Sequence, residues 1–232
     1  MEVTIYDTLR TMKIFLDTAD VASIQKYYST GLIDGVTTNP SLIMKSGRNP
    51  DDVYKELIGI GIQDVSMEVV ADNTLDMVKE GERLISLHGK ECATIKVPCT
   101  PAGLKACKEL SKNLIKVNVT LIFSQVQAIL AAKAGATYVS PFVGRVDDNS
   151  FGGLCLVKDI ANVYAKQNWK KTQVLAASLR GVRDVGRAFE YGANIVTMPV
   201  TVFEKMYKHV LTDAGLTQFD QDWSAVKLGM TA

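Results

Sequence analysis

The stretch VNVTLIFSQVQAILAAKAGATYVSPFV (117–143) decides the fold. It opens as a β-branched run, VNVTL (117–121), passes through a segment of helical period over Ser124–Ala134, turns at Gly135-Ala-Thr, and returns as the run TYVSPFV (137–143). A strand, a helix and a second strand joined this closely make a right-handed crossover, so the two strands lie parallel in one sheet. The unit recurs on both sides. Upstream stand KIFLD (13–17), GVTTN (35–39), VSMEVV (65–70) and ATIKV (93–97); downstream stand QVLAAS (173–178) and NIVTMP (194–199). Between them lie segments of helical period such as Leu75–Leu87, Pro101–Leu110 and Gly181–Tyr191. Eight strand-then-helix units predict an α/β protein with a single (β/α)8 TIM barrel. An open doubly wound sheet would need a glycine-rich loop after its first strand, whereas TADVAS follows KIFLD here. Gly59-Ile-Gly61 is too short and follows a helix. The barrel is expected over 13–232 behind an extension at 1–12. Thr217–Leu228 reads as an additional C-terminal helix whose Phe219 and Trp223 need a packing surface, such as a neighbouring subunit.

Composition narrows the function. The chain of 232 residues is 47% hydrophobic and 22% charged, enough to bury one large core. Its 26 basic and 25 acidic residues leave a net charge of +1, so no global field draws it to nucleic acid or an anionic membrane. Phosphate recognition must be local. No apolar run approaches the roughly 18 residues of a membrane span, and MEVTIYDTLRTM (1–12) lacks the layout of a signal peptide. A cytoplasmic protein is expected. Cys92, Cys99, Cys107 and Cys155 form no CxxC pair and lie in or near apolar segments, which favours reduced packing residues over a disulfide framework or a metal site. The two histidines, His88 and His209, lie in helix-like polar surroundings and argue against histidine as base or metal ligand.

In such barrels the chemistry belongs at the C-terminal strand ends, where residues two apart share a face. Those ends carry Asp17, Asn39, Glu68, Lys96, Asn118 with Thr120, Ser140 with Phe142, and Ser178. Lys96 inside ATIKVP is the sharpest signal. A buried ammonium is costly, and the neutral amine it yields is the nucleophile of Schiff-base chemistry. Each residue alone has a plainer explanation. A strand-end lysine can extend its head to solvent, Asp17-Thr18 can cap a helix, and Asn39-Pro40-Ser41 can make a turn. Their convergence at successive strand exits makes an acid–base site.

The runs LDTAD (16–20), GVTTNPSLI (35–43), IKVPCT (95–100), NVTLIFS (118–124), SPFVGRVDD (140–148), AASLRG (176–181) and FDQDW (219–223) resemble the transaldolases. The chain is most similar in layout to their small subgroup, which also contains fructose-6-phosphate aldolase. The likeness spans about 12 to 228; residues 1–11 have no counterpart, and Met12 is an alternative start.

The resemblance implies a division of labour. Lys96 would form an imine with C2 of fructose 6-phosphate or sedoheptulose 7-phosphate, and Asp17 would take the C4-hydroxyl proton as C3–C4 breaks. Glu68 and Thr120 would hold a catalytic water, while Asn39, Asn118 and Ser140 would bind the dihydroxyacetone hydroxyls. Arg145, Ser178 and Arg180 would bind phosphate, leaving Arg183 and Arg187 to solvent. The unit would pass to glyceraldehyde 3-phosphate or erythrose 4-phosphate, without metal or organic cofactor. The related aldolases carry an amide at the position of Glu68 and tyrosine at that of Phe142, so this chain sides with transfer. The alternatives are a fructose-6-phosphate aldolase and a phosphate-binding barrel without catalysis. The resemblance further implies sugar-phosphate partners, the non-oxidative pentose phosphate route, and a homo-oligomer built from rings of five that pair into decamers.

Overall fold

The eight apolar runs form eight strands: β1 (Lys13–Asp17), β2 (Gly35–Thr37), β3 (Val65–Glu68), β4 (Ala93–Pro98), β5 (Val117–Ile122), β6 (Tyr138–Pro141), β7 (Gln173–Ala176) and β8 (Ile195–Met198). Each pairs in parallel with the next, and β8 closes on β1 with Ile195 beside Lys13 and Met198 beside Leu16. The sheet is therefore a closed barrel, as expected, and has no edge to protect. This computed structural model describes residues 12–230, so all of the extension at 1–12 except Met12 lies outside the described residues.

Around the barrel run α1 (Val21–Tyr28), α2 (Pro40–Ser46), α3 (Pro50–Ile60), α4 (Thr74–His88), α5 (Pro101–Lys112), α6 (Gln125–Ala134), α7 (Val143–Asp148), α8 (Gly153–Lys166), α9 (Val182–Glu190) and α10 (Val200–Lys205). Several strands stop short of the apolar run because the next residues start a helix. GVTTN leaves the sheet after Thr37, and the Asn39 side chain accepts from the Leu42 amide to cap α2, with Pro40 in the first helical position. Asn49, Asn73, Thr100 and Ser124 cap α3, α4, α5 and α6 in the same way. Each such cap is worth about 1 kcal/mol.

Strand alternation divides the apolar residues into two cores. Leu16, Val36, Met67, Ile95, Val119 and Val139 face outward and pack beneath the helices. Phe15, Tyr138, Leu175, Ala177 and Ile195 fill the barrel itself. The Phe15 and Tyr138 rings meet edge to face at 6.4 Å. Below them the N-terminal end is closed by Asp64. Its carboxylate accepts from Tyr138 Oη at 2.7 Å and Thr94 Oγ1 at 2.8 Å, and pairs with Lys116 Nζ at 3.3 Å. A buried carboxylate is tolerated where its lone pairs are engaged this fully.

Gly35 makes room for the Phe15 ring. A Cβ there would lie 2.7 Å from both that ring and the Asp64 carbonyl oxygen. Gly35→Ala is therefore expected to destabilise the fold by about 1–3 kcal/mol through overpacking. Urea unfolding should show a lower midpoint at unchanged slope; a wild-type midpoint would mean that the ring has space elsewhere.

Three details depart from expectation. The terminal helix, α11 (Val210–Met230), begins seven residues before Thr217 and lies away from the barrel, with Leu211 at 72%, Phe219 at 69% and Trp223 at 59% exposure. His88 has polar neighbours, Asp51 at 3.8 Å among them, but its side chain is only 5% exposed and packs edge-on against the Tyr54 ring. Burial holds that imidazole below its ordinary value despite nearby Asp51. His209 is exposed, as expected. The described cysteines are all free, yet Cys155 is exposed rather than packed; Cys107 is buried, and burial pushes its thiol up to about 12. Among the described residues, no helix is long and apolar enough to cross a membrane.

Candidate active site

The inward face of β4 carries Lys96, whose Cα stands in register with Glu68 on β3 and Asn118 on β5. Its side chain does not extend to solvent. It is 5% exposed, Nζ donates to the Thr38 carbonyl oxygen at 3.0 Å, and Glu68 Oε2 lies 2.8 Å from the same nitrogen. A lysine this deep is retained because a carboxylate and a carbonyl oxygen compensate its lost hydration. The same carboxylate is a base within proton-transfer distance of the amine.

Lys96 opens on a cavity of about 90 Å³ at the C-terminal end of the barrel, which Asp17, Asn39, Ser140 and Phe142 also line. A wider groove of about 640 Å³ runs beside it, between Thr18–Ala22 and the Leu42–Arg48 segment. The chemistry belongs to the smaller cavity, because only there do the amine and the Asp17 carboxylate face one space.

Asp17 ends β1. Thr37 Oγ1 donates to its Oδ1 at 2.7 Å and lies 2.7 Å from Thr197 Oγ1. Thr37 has one hydroxyl proton, and giving it to Asp17 makes Thr197 the donor to Thr37. Burial raises the Asp17 carboxyl above its ordinary range, against the Thr37 hydrogen bond and the Lys96 charge, which lower it. Thr37 and Thr197 escaped the reading of the sequence. Alternation was the available signal, since Thr37 lies two residues after inward Gly35 and Thr197 two after inward Ile195. Threonine is so ordinary in strands that neither stood out.

On the opposite wall, Ser140 Oγ donates to Asn118 Oδ1 at 2.7 Å, and the Asn118 amide donates to Ser66 Oγ at 3.3 Å. This fixes which way the Asn118 amide points. Between Val119 and Ile122 the register of β5 on β6 shifts, and Leu121 takes a left-handed backbone with φ 57°. Thr120 sits in that bulge, buried, and bulges commonly re-aim a side chain beside a site. Its Oγ1 and Glu68 Oε2 are the two buried side-chain oxygens among the described residues without a directed hydrogen bond; Glu68 meets Lys96 as an ion pair instead.

Beyond β6, the Arg145 guanidinium stacks 4.9 Å from the centre of the Phe142 ring. Both line the cavity, as does Ser178, which follows β7 in a left-handed conformation with φ 59°. Such backbone strain in a non-glycine residue is typical of functional sites. Arg180 stands apart. It projects from the rim and forms a two-pronged ion pair with Asp148, which holds that carboxyl below its ordinary range. The expected phosphate group is thus split, with Arg145 and Ser178 in the cavity and Arg180 outside it. Arg183 is exposed, and Arg187 pairs with Glu190 at 2.8 Å beside Tyr191.

A sequence profile of the transaldolase/fructose-6-phosphate aldolase family matches residues 14–229. The chain belongs to that family. Among its relatives, a protein of Paracoccus denitrificans called a probable transaldolase is 52% identical over 92% of this chain and 97% of its own. A probable transaldolase of Nitrosopumilus maritimus is 50% identical over 93% of this chain and 96% of its own. Among solved structures, a flavocytochrome b2 variant with sulfite bound superposes with a TM-score of 0.59 at 14% identity. That match covers 83% of this chain, which spans 57% of the flavocytochrome chain, and it bears on the fold alone. Membership in the transaldolase/fructose-6-phosphate aldolase family makes the chain an enzyme of the transaldolase type. The family profile extends through most of α11 as well as the barrel.

Proposed function

We propose that the chain is a transaldolase that carries a dihydroxyacetone unit from fructose 6-phosphate or sedoheptulose 7-phosphate to glyceraldehyde 3-phosphate or erythrose 4-phosphate, through an imine on Lys96. The observation that carries this is the buried Lys96 amine, 2.8 Å from Glu68 and sharing its cavity with Asp17. Glu68 takes a proton from the lysine, and the freed nitrogen attacks C2 of the ketose. Loss of the C2 oxygen as water leaves the protonated imine. Asp17 then removes the C4-hydroxyl proton, C3–C4 breaks, and its electrons are received by the iminium to give an enamine. An aldose phosphate departs. The acceptor aldehyde reverses these steps with a new partner.

The remaining residues bind. Asn118, Ser140 and the Asn39 amide face the hydroxyls of the three-carbon unit, and a water bridges the Thr120 hydroxyl, which has no hydrogen-bond partner of its own, to the Glu68 carboxylate that pairs with Lys96. Arg145 and Ser178 receive the phosphate, joined by Arg180 once it releases Asp148; guanidinium groups hold phosphate through paired hydrogen bonds.

Phe142 bears on transfer against release. Its ring has no hydroxyl to deliver a proton, so the enamine persists until an acceptor arrives. Phe142→Tyr is expected to raise dihydroxyacetone release from fructose 6-phosphate about tenfold relative to transfer. Product ratios with and without glyceraldehyde 3-phosphate measure this, and an unchanged ratio would count against the protonation argument. Strong acceptor-free release by the wild type would instead mark an aldolase.

Borohydride trapping tests the whole proposal. Incubated with fructose 6-phosphate and reductant, the protein should gain a stable adduct that peptide mapping assigns to Lys96. A barrel that only binds phosphate ligands would stay unmodified.

A homo-oligomer belongs to the same proposal, with α11 laying Leu211, Phe219 and Trp223 on a neighbouring copy, in rings of five or paired rings. Light scattering should give a mass well above the 25.3 kDa of one chain. Sugar phosphates are charged and confined to the compartment that makes them, which fits a cytoplasmic enzyme of the pentose phosphate route.

A further inference from the structure

Glu68 pairs with Lys96 yet does not line the cavity on which Lys96 opens. Glu68 lines instead a second hollow of about 280 Å³, outside the barrel between α2, α3 and α4. Tyr54, Ile43, Val70, Glu80 and Arg83 form its other walls. The ion pair is therefore the partition between two spaces: Lys96 faces the central one, and Glu68, 17% exposed, faces the lateral one.

The partition is held from both sides. Thr38 accepts from Lys96 Nζ through its carbonyl oxygen, and its hydroxyl lies 3.3 Å from Tyr54 Oη on the lateral wall. At the opposite rim, Glu80 Oε2 accepts from the Val70 and Ala71 amides at 3.1 and 3.3 Å, which fixes the loop after β3. The walls carry the polar groups of Tyr54, Glu80 and Arg83 among apolar Ile43, Val70 and Leu84.

Imine chemistry at Lys96 creates a need for such a passage. Each imine formed expels one water from C2, and each imine hydrolysed consumes one, while the bound sugar occupies the 90 Å³ cavity between the amine and the open end of the barrel. We propose that the lateral hollow is the route by which water and protons reach and leave the Lys96–Glu68 pair while a sugar occupies the central cavity. This rests on the imine mechanism proposed above. In the forward direction, the Glu68 carboxyl protonates the carbinolamine hydroxyl, C–O breaks as C=N forms, and the water leaves past Tyr54. In the reverse direction, Glu68 takes a proton from an arriving water as its oxygen adds to C2, then returns that proton to the departing amine. Water and proton balance in each direction.

Val70 is 71% exposed at the rim and has no part in the catalytic machinery. Val70→Trp narrows the lateral hollow from one side, and Ile43→Trp narrows it from the other; Val70→Ala widens it. The experiment measures uptake of ¹⁸O from labelled water into C2 of fructose 6-phosphate, together with the fraction of enzyme trapped by borohydride. Val70→Trp should slow ¹⁸O uptake about tenfold and still yield the trapped adduct, as expected when a gating step is closed, while Val70→Ala should exchange at the wild-type rate. Folded Val70→Trp that exchanges at the wild-type rate would overturn the lateral route and leave the imine intact. If Val70→Trp does not fold, Ile43→Trp decides by the same criterion. Absence of any adduct in the wild type would instead remove the imine mechanism, and the lateral route with it.

Discussion

Lys96→Met should lose transaldolase activity by a factor on the order of 10⁴ or more, the scale on which enzymes lose rate when their nucleophile is removed. Methionine matches the length of the lysine stem and suits a site that is 4% exposed, so the barrel should remain folded. Removing the ammonium leaves Glu68 without its cationic partner, so some loss of thermal stability is expected as well. Steady-state assays combined with borohydride trapping separate the outcomes. A folded variant with neither turnover nor adduct supports the nucleophilic role, and substantial residual turnover would refute it.

Asp17→Asn is expected to reduce turnover by about 10²–10⁴-fold, the usual contribution of a positioned acid–base group. Asparagine keeps an oxygen for the Thr37 hydroxyl and so preserves the geometry while removing the proton carrier. The pH profile adds a second readout. Because burial raises the Asp17 carboxyl, the wild-type rate should climb with pH at values above those of an ordinary carboxylate. The variant should lack that limb. Stability should move the other way. Between the ordinary carboxylate value and the raised native one, the folded chain holds a proton that the unfolded chain has released. Stability contributed by this group is full at low pH and declines as pH rises through that interval. Asp17→Asn removes the decline, so its Tm at neutral pH should exceed that of the wild type. A lower Tm would mean that the ionised carboxylate is net favourable in its cavity.

The barrel was legible because its strands obey a simple period and the helices between them begin with recognisable caps. Lys96, Glu68 and Asp17 were legible for the same reason, as charged residues at inward positions of otherwise apolar runs. What could not be read was how polar groups pair across strands distant in sequence. Thr37 and Thr197 meet over a separation of 160 residues, and nothing local marks either as the support of a carboxylate. Arg180 was placed with the phosphate group by its motif, whereas its pairing with Asp148 depends on how two loops fold together. The early start of α11 was hidden by Gly215, which weakens the helical signal in the middle of the segment.

The Asp64 hub that seals the bottom of the barrel makes the central cavity a blind alley for sugars. On the imine mechanism proposed above, a sugar that reaches the lysine must back out along its own path, so the first aldose has to vacate before the second can come in. Double-reciprocal plots for donor and acceptor should therefore be parallel lines, the signature of a ping-pong order imposed here by a closed floor.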